Sequence, residues 1–282
     1  MSAWTTYRSL SAEQRAILRA KKLDLRRPVG ELLTLLRPLA ACDSVANKAQ
    51  HKMGCTLALM IFLTLVGFVV LANMPGPVTL MLFLPLIVST VAMAFFYSWL
   101  RSIDVSDNLR SFLVPVLTLF REDFDPRFPV HLRMDLSSPM TKLKKTAESK
   151  PYSRAKYHRV VDTMYLDPWL TADAVLVDGT KLSWSVTDRI RERKKTKKSA
   201  SGKSKTKTKY RKLSDVEVRL GLRTKNFTVA KGKLSADGKR SKVEVQRRVR
   251  TDSLDPINPR TLIDAIAGVY RAARPVTKEA TA

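Results

Sequence analysis

Residues 53–100 read MGCTLALMIFLTLVGFVVLANMPGPVTLMLFLPLIVSTVAMAFFYSWL, and no Asp, Glu, Lys, Arg or His occurs among them. His51 and Lys52 precede the run and Arg101 follows it, so both edges are sharp. Asn73-Met74-Pro75-Gly76-Pro77 divides it into 55–72 and 78–100, each close to the roughly 20 apolar residues that a membrane-spanning helix requires. In a soluble fold, helices apolar on every side need a large shell to bury them. A 282-residue chain with 51 Lys and Arg does not offer one. The stretch therefore predicts an integral two-helix transmembrane hairpin. A cleavable signal peptide is not expected, because the apolar run begins only at Met53, behind a charged and helix-prone segment.

A tight uncharged turn between two spans places both ends of the chain on one side of the membrane. Residues 1–52 carry ten Lys and Arg against four acids, residues 101–282 carry 41 against 21, and the turn carries none. The positive-inside rule then puts both termini in the cytoplasm. The alternative, a hairpin wedged into one leaflet with its Pro-Gly-Pro apex buried, leaves the termini on the same side. Within the second span Thr90, Ala94 and Ser98 recur at four-residue spacing, a small-residue stripe along which another helix can approach closely. It suits either packing against the first span near Gly67 or homo-oligomerisation through the second. The spans hold no ionisable group, which argues against a proton-coupled transporter.

Outside this pair the chain changes period. In residues 1–52, the N-terminal cytosolic segment, Ser11-Ala12-Glu13-Gln14 fits a capping box opening a helix to about Lys22. A second helix starts at Pro28, its Leu32, Leu33, Leu35, Leu36 and Leu39 destined for the membrane interface or the membrane pair. Residues 101–124 form a juxtamembrane amphipathic helix, with Leu109, Phe112, Leu113, Val116, Leu117 and Phe120 on one face and a kink at Pro115. Residues 138–157 read as a basic linker or long loop.

Residues 125–282 read as a β-rich cytosolic domain. Leu182, Trp184 and Val186 alternate with polar residues, as do Val216, Val218, Leu220 and Leu222, and again Val243, Val245 and Val249, the mark of antiparallel strands with one wet face. Asp178-Gly179 reads as a two-residue hairpin loop and Ala236-Asp237-Gly238 as a second turn. A final helix opens at Asn258-Pro259 and covers the sheet with Leu262, Ile263, Ile266, Val269 and Tyr270. The fold class is therefore a membrane-anchored α+β protein: a two-helix transmembrane hairpin plus a mostly antiparallel β domain with a C-terminal helix. A β-sandwich is the alternative.

The usual signatures of chemistry are missing. Gly202-Lys203-Ser204 resembles the end of a phosphate-binding loop, but Lys197 stands where its first glycine belongs. His51, His131 and His158 are scattered without metal-ligand spacing, so no metal and no cofactor is expected. Cys42 and Cys55 lack a CxxC pattern and read as free thiols, and Asn226-Phe227-Thr228 matches a glycosylation acceptor on the wrong side of the membrane. Asp162, Asp167, Asp173, Asp178 and Asp188 bracket strands, and nothing in the sequence selects an acid–base pair from them.

One stretch remains. Residues 191–212, RERKKTKKSASGKSKTKTKYRK, hold twelve Lys or Arg against Glu192 alone. They predict the basic tip of a long hairpin, with Arg193, Lys194, Lys195, Lys197, Lys198, Lys203, Lys205, Lys207 and Lys209 as the polyanion-binding set. Anionic lipid headgroups, nucleic acid and an acidic protein are all candidate partners, and a solvated loop is the bland reading. Lipid ranks above nucleic acid because Tyr210 is the lone aromatic in the stretch, where single-strand binders interleave several. The sequence thus points to a membrane-anchored, non-enzymatic adaptor or scaffold. The alternatives are a membrane-tethered enzyme with its site on the sheet and a membrane-tethered nucleic-acid-binding module.

Overall fold

The computed structural model describes residues 2–73, 76–199, 202–229, 233, 234 and 238–276. Met74 and Pro75 of the turn between the two apolar segments, Ala200 and Ser201 of the basic tip, and Ala236 and Asp237 of the second predicted turn lie outside the described residues. The chain is a mixture of helices and antiparallel sheet, and it divides into two compact units. One comprises 1–20 and 37–105, the other 21–36 and 106–282.

The first unit is helical. Helix α1 (Ala3–Arg8) is capped by Ser2, whose hydroxyl accepts from the Thr5 amide at 3.2 Å. The predicted capping box opens α2 (Ala12–Ala20): the Gln14 amide donates to Ser11 Oγ at 3.1 Å, and the Ser11 amide donates to Gln14 Oε1 at 2.8 Å. Helix α3 (Val29–Asn73) is continuous, with Pro38 inside it, where the sequence suggested two separate helices. Helix α4 (Pro77–Ile103) begins with Pro at its first position. Both α3 and α4 are long and apolar enough to cross a membrane. Their large side chains stay uncovered: Phe62, Phe68 and Phe95 are 60%, 64% and 74% exposed. Where the helices meet, Thr64 Oγ1 lies 3.0 Å from Thr90 Oγ1, and a Cβ on Gly67 would come within 2.7 Å of the Phe83 ring. Gly67 is therefore the residue that lets this ring lie against α3.

The second unit is an open antiparallel sheet, with nine strands among the described residues. Its main path runs β1 (Lys22–Arg27), β2 (Val130–Asp135), β5 (Tyr157–Val175), β6 (Lys181–Lys198), β7 (Ser204–Arg223), β10 (Arg240–Thr251) and β9 (Lys233–Leu234). Strands β3 (Lys145–Glu148) and β4 (Tyr152–Arg154) add to the far part of β5. Residues 138–157 are thus not a linker; they carry two edge strands. Likewise 22–27, which the sequence reading left without an element between a helix ending at about Lys22 and one starting at Pro28, is a strand. A small second ladder joins β8 (Phe227–Val229) to β11 (Ala273–Pro275).

Alternation decides which face is covered. Leu182, Trp184, Val186, Val216, Val218, Leu220 and Leu222 are all at most 2% exposed, as the period of two requires. A π-helical turn at Leu109–Leu113 leads into α5 (Val114–Leu119), so the predicted kink around Pro115 is a change of helix type. Residues on either side of α5 pack on the sheet: Phe112 of the π-helical turn meets Trp169 edge-on at 5.5 Å between centroids, and Phe124, beyond α5, stacks on Trp184 at 6.3 Å. Helix α6 (Arg260–Ala272), capped where Asn258 Oδ1 accepts from the Arg260 amide, buries Leu262, Ala265, Ile266 and Val269. Leu32, Leu33, Leu35 and Leu36 are buried too, and this part of α3 groups with the sheet and not with the helical unit.

Two irregularities occur along β5 and its turn. The turn between β5 and β6 closes on Leu176 and Thr180, with the Leu176 amide donating to the Thr180 carbonyl at 2.9 Å. The loop therefore has three residues, Val177 to Gly179, with Gly179 at φ +80°, rather than the two expected. In β5 the register shifts between Pro168 and Leu170, so Trp169 is the extra residue of a bulge. The bulge accommodates Pro168 in a central strand and moves the buried set from Asp167 and Trp169 to Leu170, Ala172 and Ala174.

Candidate polyanion interface

The basic stretch is mostly strand. β6 runs on to Lys198 and β7 starts at Ser204, so the ladder continues through Lys197↔Lys205 and Lys198↔Ser204. Because successive side chains alternate, every second residue shares a face. Arg191, Arg193, Lys195 and Lys197 on β6 stand opposite Arg211, Lys209, Lys207 and Lys205 on β7. The other face carries Glu192, Lys194, Thr196 and Lys198 against Tyr210, Thr208, Thr206 and Ser204. A 3.1 Å contact between Thr196 Oγ1 and Thr206 Oγ1 marks that side. The Lys/Thr alternation therefore sorts the charge into two cationic rows along one face, about 20 Å long at 3.4 Å per residue.

Some of this charge is already held. Arg193 forms a two-pronged ion pair with Asp162, Nε to Oδ1 at 2.6 Å and Nη2 to Oδ2 at 2.8 Å, and Tyr152 donates to the same carboxylate. The Arg193 guanidinium, with help from Tyr152, holds the Asp162 carboxyl below the ordinary carboxylate range. Lys195 lies over the Tyr157 ring at 5.2 Å. Among the described residues no ion pair forms with Lys197, Lys205, Lys207 or Lys209. These four, next to the turn, are the available charges.

Of the nine residues named from sequence, the strand period brings together Arg193, Lys195, Lys197, Lys205, Lys207 and Lys209. It sends Lys194, which reaches Glu192 at 3.4 Å, and Lys198 to the other face. Lys203 is in the turn and exposed. The sequence reading missed Arg191 and Arg211, whose signal was the same period of two carried one step further. Tyr210 sits on the face away from the cationic rows, which offers no stacking platform beside them. In the helical pair Thr90 is engaged with Thr64, whereas Ala94 and Ser98 are exposed.

The sheet also selects the acid pair that the sequence left open. Asp167 and Asp188 face each other across β5 and β6, each 2% exposed. Lys144 pairs with Asp167 at 2.8 Å and with Asp135 at 3.0 Å, while Lys212 approaches Asp188 at 3.6 Å. Ser214 donates to Asp188 at 2.6 Å. Burial pushes both carboxyls above the ordinary range against the pull of these lysines and of Ser214. Paired carboxylates with raised pKa suit acid–base chemistry, but at this burial a substrate has no approach to them, and their arrangement is that of a sealed polar cluster.

No family model, curated protein or solved structure matches this chain. Among the described residues no group of three or more His, Cys, Asp or Glu could hold a metal ion.

Proposed function

We propose that this protein is a membrane-anchored adaptor whose β6–β7 ribbon engages an anionic surface, with anionic lipid headgroups as the ligand. The observation that carries the reading is the cationic face itself: four like-charged pairs in register, from Arg191↔Arg211 to Lys197↔Lys205. Like charges directly opposite one another cost stability. A double row of them on one face is the complement of a negative surface, where each Lys or Arg contributes on the order of 1 kcal/mol before screening.

Anchoring is supported by the exposed apolar side chains of α3 and α4, and the charge balance of the flanks favours cytoplasmic termini. Asp104 and Val105 alone lie between α4 and the sheet unit, so the covalent link keeps the local concentration of the ribbon at the surface high. The exposed Ala94 and Ser98 leave a seam for a second copy of the span.

The test uses the full chain reconstituted in phosphatidylcholine, presented with vesicles containing phosphatidylserine. Binding should fall steeply as salt rises, since attraction is screened within about 8 Å at physiological ionic strength. Replacing Lys197, Lys205, Lys207 and Lys209 with Gln should abolish it without lowering the melting temperature, since the opposed like charges that are lost cost stability. Displacement of vesicles by low concentrations of single-stranded DNA or RNA would instead assign the ribbon to nucleic acid. Unchanged binding in the Gln variant would remove the ribbon from the function.

A further inference from the structure

Along one part of the sheet the covered and wet faces exchange character. In β5, Met164 and Leu166 share the even-numbered phase of Leu170, Ala172 and Ala174. The bulge at Trp169 breaks that phase, so the later three are buried while Met164 and Leu166 are exposed on the other face. The neighbouring strands follow suit. Asp188, Lys212 and Ser214 lie buried on the covered face with Asp167, and Leu213 stands on the wet face opposite Arg189.

Two ladder rows frame the inverted region, Met164↔Arg191↔Arg211 and Leu166↔Arg189↔Leu213. They stand about 7 Å apart, two residues at 3.4 Å each, and their side chains line a groove of about 510 Å³ that no acidic side chain enters. Such a volume falls within the roughly 300 to 1,000 Å³ of small-molecule sites. Arg189 pairs with Asp215 at 3.3 Å and Arg211 with Asp252 at 3.5 Å, both acids standing outside the groove. Arg191, between them, forms no ion pair among the described residues, and the nearby Asp162 carboxylate is already gripped by Arg193.

We propose that this groove binds a single-tailed amphiphilic anion, its apolar chain between the two rows and its charged end on Arg191. The inversion costs stability twice, in apolar surface left in water and in charges taken out of it. A chain laid on Met164, Leu166 and Leu213 removes the first of these costs. The planar Arg191 guanidinium matches carboxylate or phosphate oxygens, and a strip two rows wide has room for one chain. This ligand goes beyond the lipid contact proposed for the ribbon, whose available charges are the lysines next to the turn.

The test titrates a doxyl-labelled fatty acid into the full chain, carrying methyl-labelled methionine, in phosphatidylcholine nanodiscs. The Met164 methyl resonance is identified by its loss in Met164→Leu. The acid should broaden that resonance, and the uncharged methyl ester, which also enters the bilayer, should need about tenfold more, the scale of a lost charge-assisted hydrogen bond. Arg191→Gln should weaken the acid about tenfold and leave the ester unchanged, whereas Leu166→Gln, at an exposed position, should weaken both. Lys197→Gln with Lys205→Gln lies about 20 Å along the rows, beyond the screening length of about 8 Å, and should leave the broadening intact. A chain that binds no phosphatidylserine vesicles yet gives this signal would overturn the ribbon reading and keep the groove. Equal broadening by acid and ester, indifference to both Arg191→Gln and Leu166→Gln, or no broadening at all would overturn the groove.

Discussion

Lys195 stands directly opposite Lys207 across the β6–β7 ladder, and both side chains leave the same face of the ribbon. Opposed like charges are destabilising by up to about 1 kcal/mol relative to an opposite-charge pair. Lys207→Glu should therefore slow hydrogen exchange in the β6 and β7 amides while weakening binding to phosphatidylserine vesicles. A variant that exchanges faster would show that the lysine stem is needed for packing, and the trade between stability and binding would fail.

Asp162 sets how much of Arg193 is offered to a ligand. Its folded pKa lies below the unfolded value, so the stability it contributes is complete above about pH 4, the ordinary aspartate range. That stability is lost as pH falls through the lowered folded value. Asp162→Asn should thus be less stable than wild type at neutral pH, with the gap closing in acid, and should bind anionic vesicles more tightly because Arg193 is released. Equal stability at neutral pH would mean that the pair contributes nothing.

The sealed cluster around Asp188 is open to a direct test of its role. Asp188→Ala leaves the Lys212 ammonium buried without its partner and should cost about 3–5 kcal/mol in a denaturant titration. Replacing Asp188 and Lys212 together with Leu should recover much of that loss. If Asp188→Ala unfolds like wild type, the carboxyl is not structural, and the account of the cluster as a stabilising ion pair fails.

Trp184 is 2% exposed and stacked on Phe124, with Leu182 and Val186 on the same face. Trp184→Ala should cost roughly 3–5 kcal/mol, as aromatic truncations in cores do. A melting curve unchanged from wild type would contradict the covered face.

Membrane topology can be read by labelling. Cysteine introduced at Gly76 should react with an impermeant maleimide from the non-cytoplasmic side, in a chain carrying Cys55→Ala. Cys42 gives little background, since its thiol is buried. Reporters fused before Met1 and after Ala282 should both report cytoplasm; opposite sides would rule out the hairpin.

By itself the sequence determined the features that depend on local pattern. The uncharged run marks two apolar helices because hydropathy is a property of contiguous residues. The alternation of Trp184 with Ser183 and Ser185, or of Val216 with Asp215 and Glu217, marks strands and their buried sides because a strand has a period of two. The Ser11–Gln14 capping box and the Asn258 cap were legible for the same reason, since each bond joins residues two or three apart.

What only tertiary structure decided depends on partners distant in sequence. Strands β1, β3 and β4 are short and largely polar, and they are strands because β2 and β5 present unpaired edges to them. Phe112 of the π-helical turn found its cover in Trp169 of the sheet, which no local pattern names. Whether the lysines of 191–212 form a loop or a cationic face was settled by register: extending β6 to Lys198 places four pairs of like charges side by side. The pairing of Asp167 with Asp188 arises in the same way, from strands brought together across tens of residues. Backbone ladder bonds and burial on the far face hold such charges close, against a repulsion that the sequence alone would have spread apart.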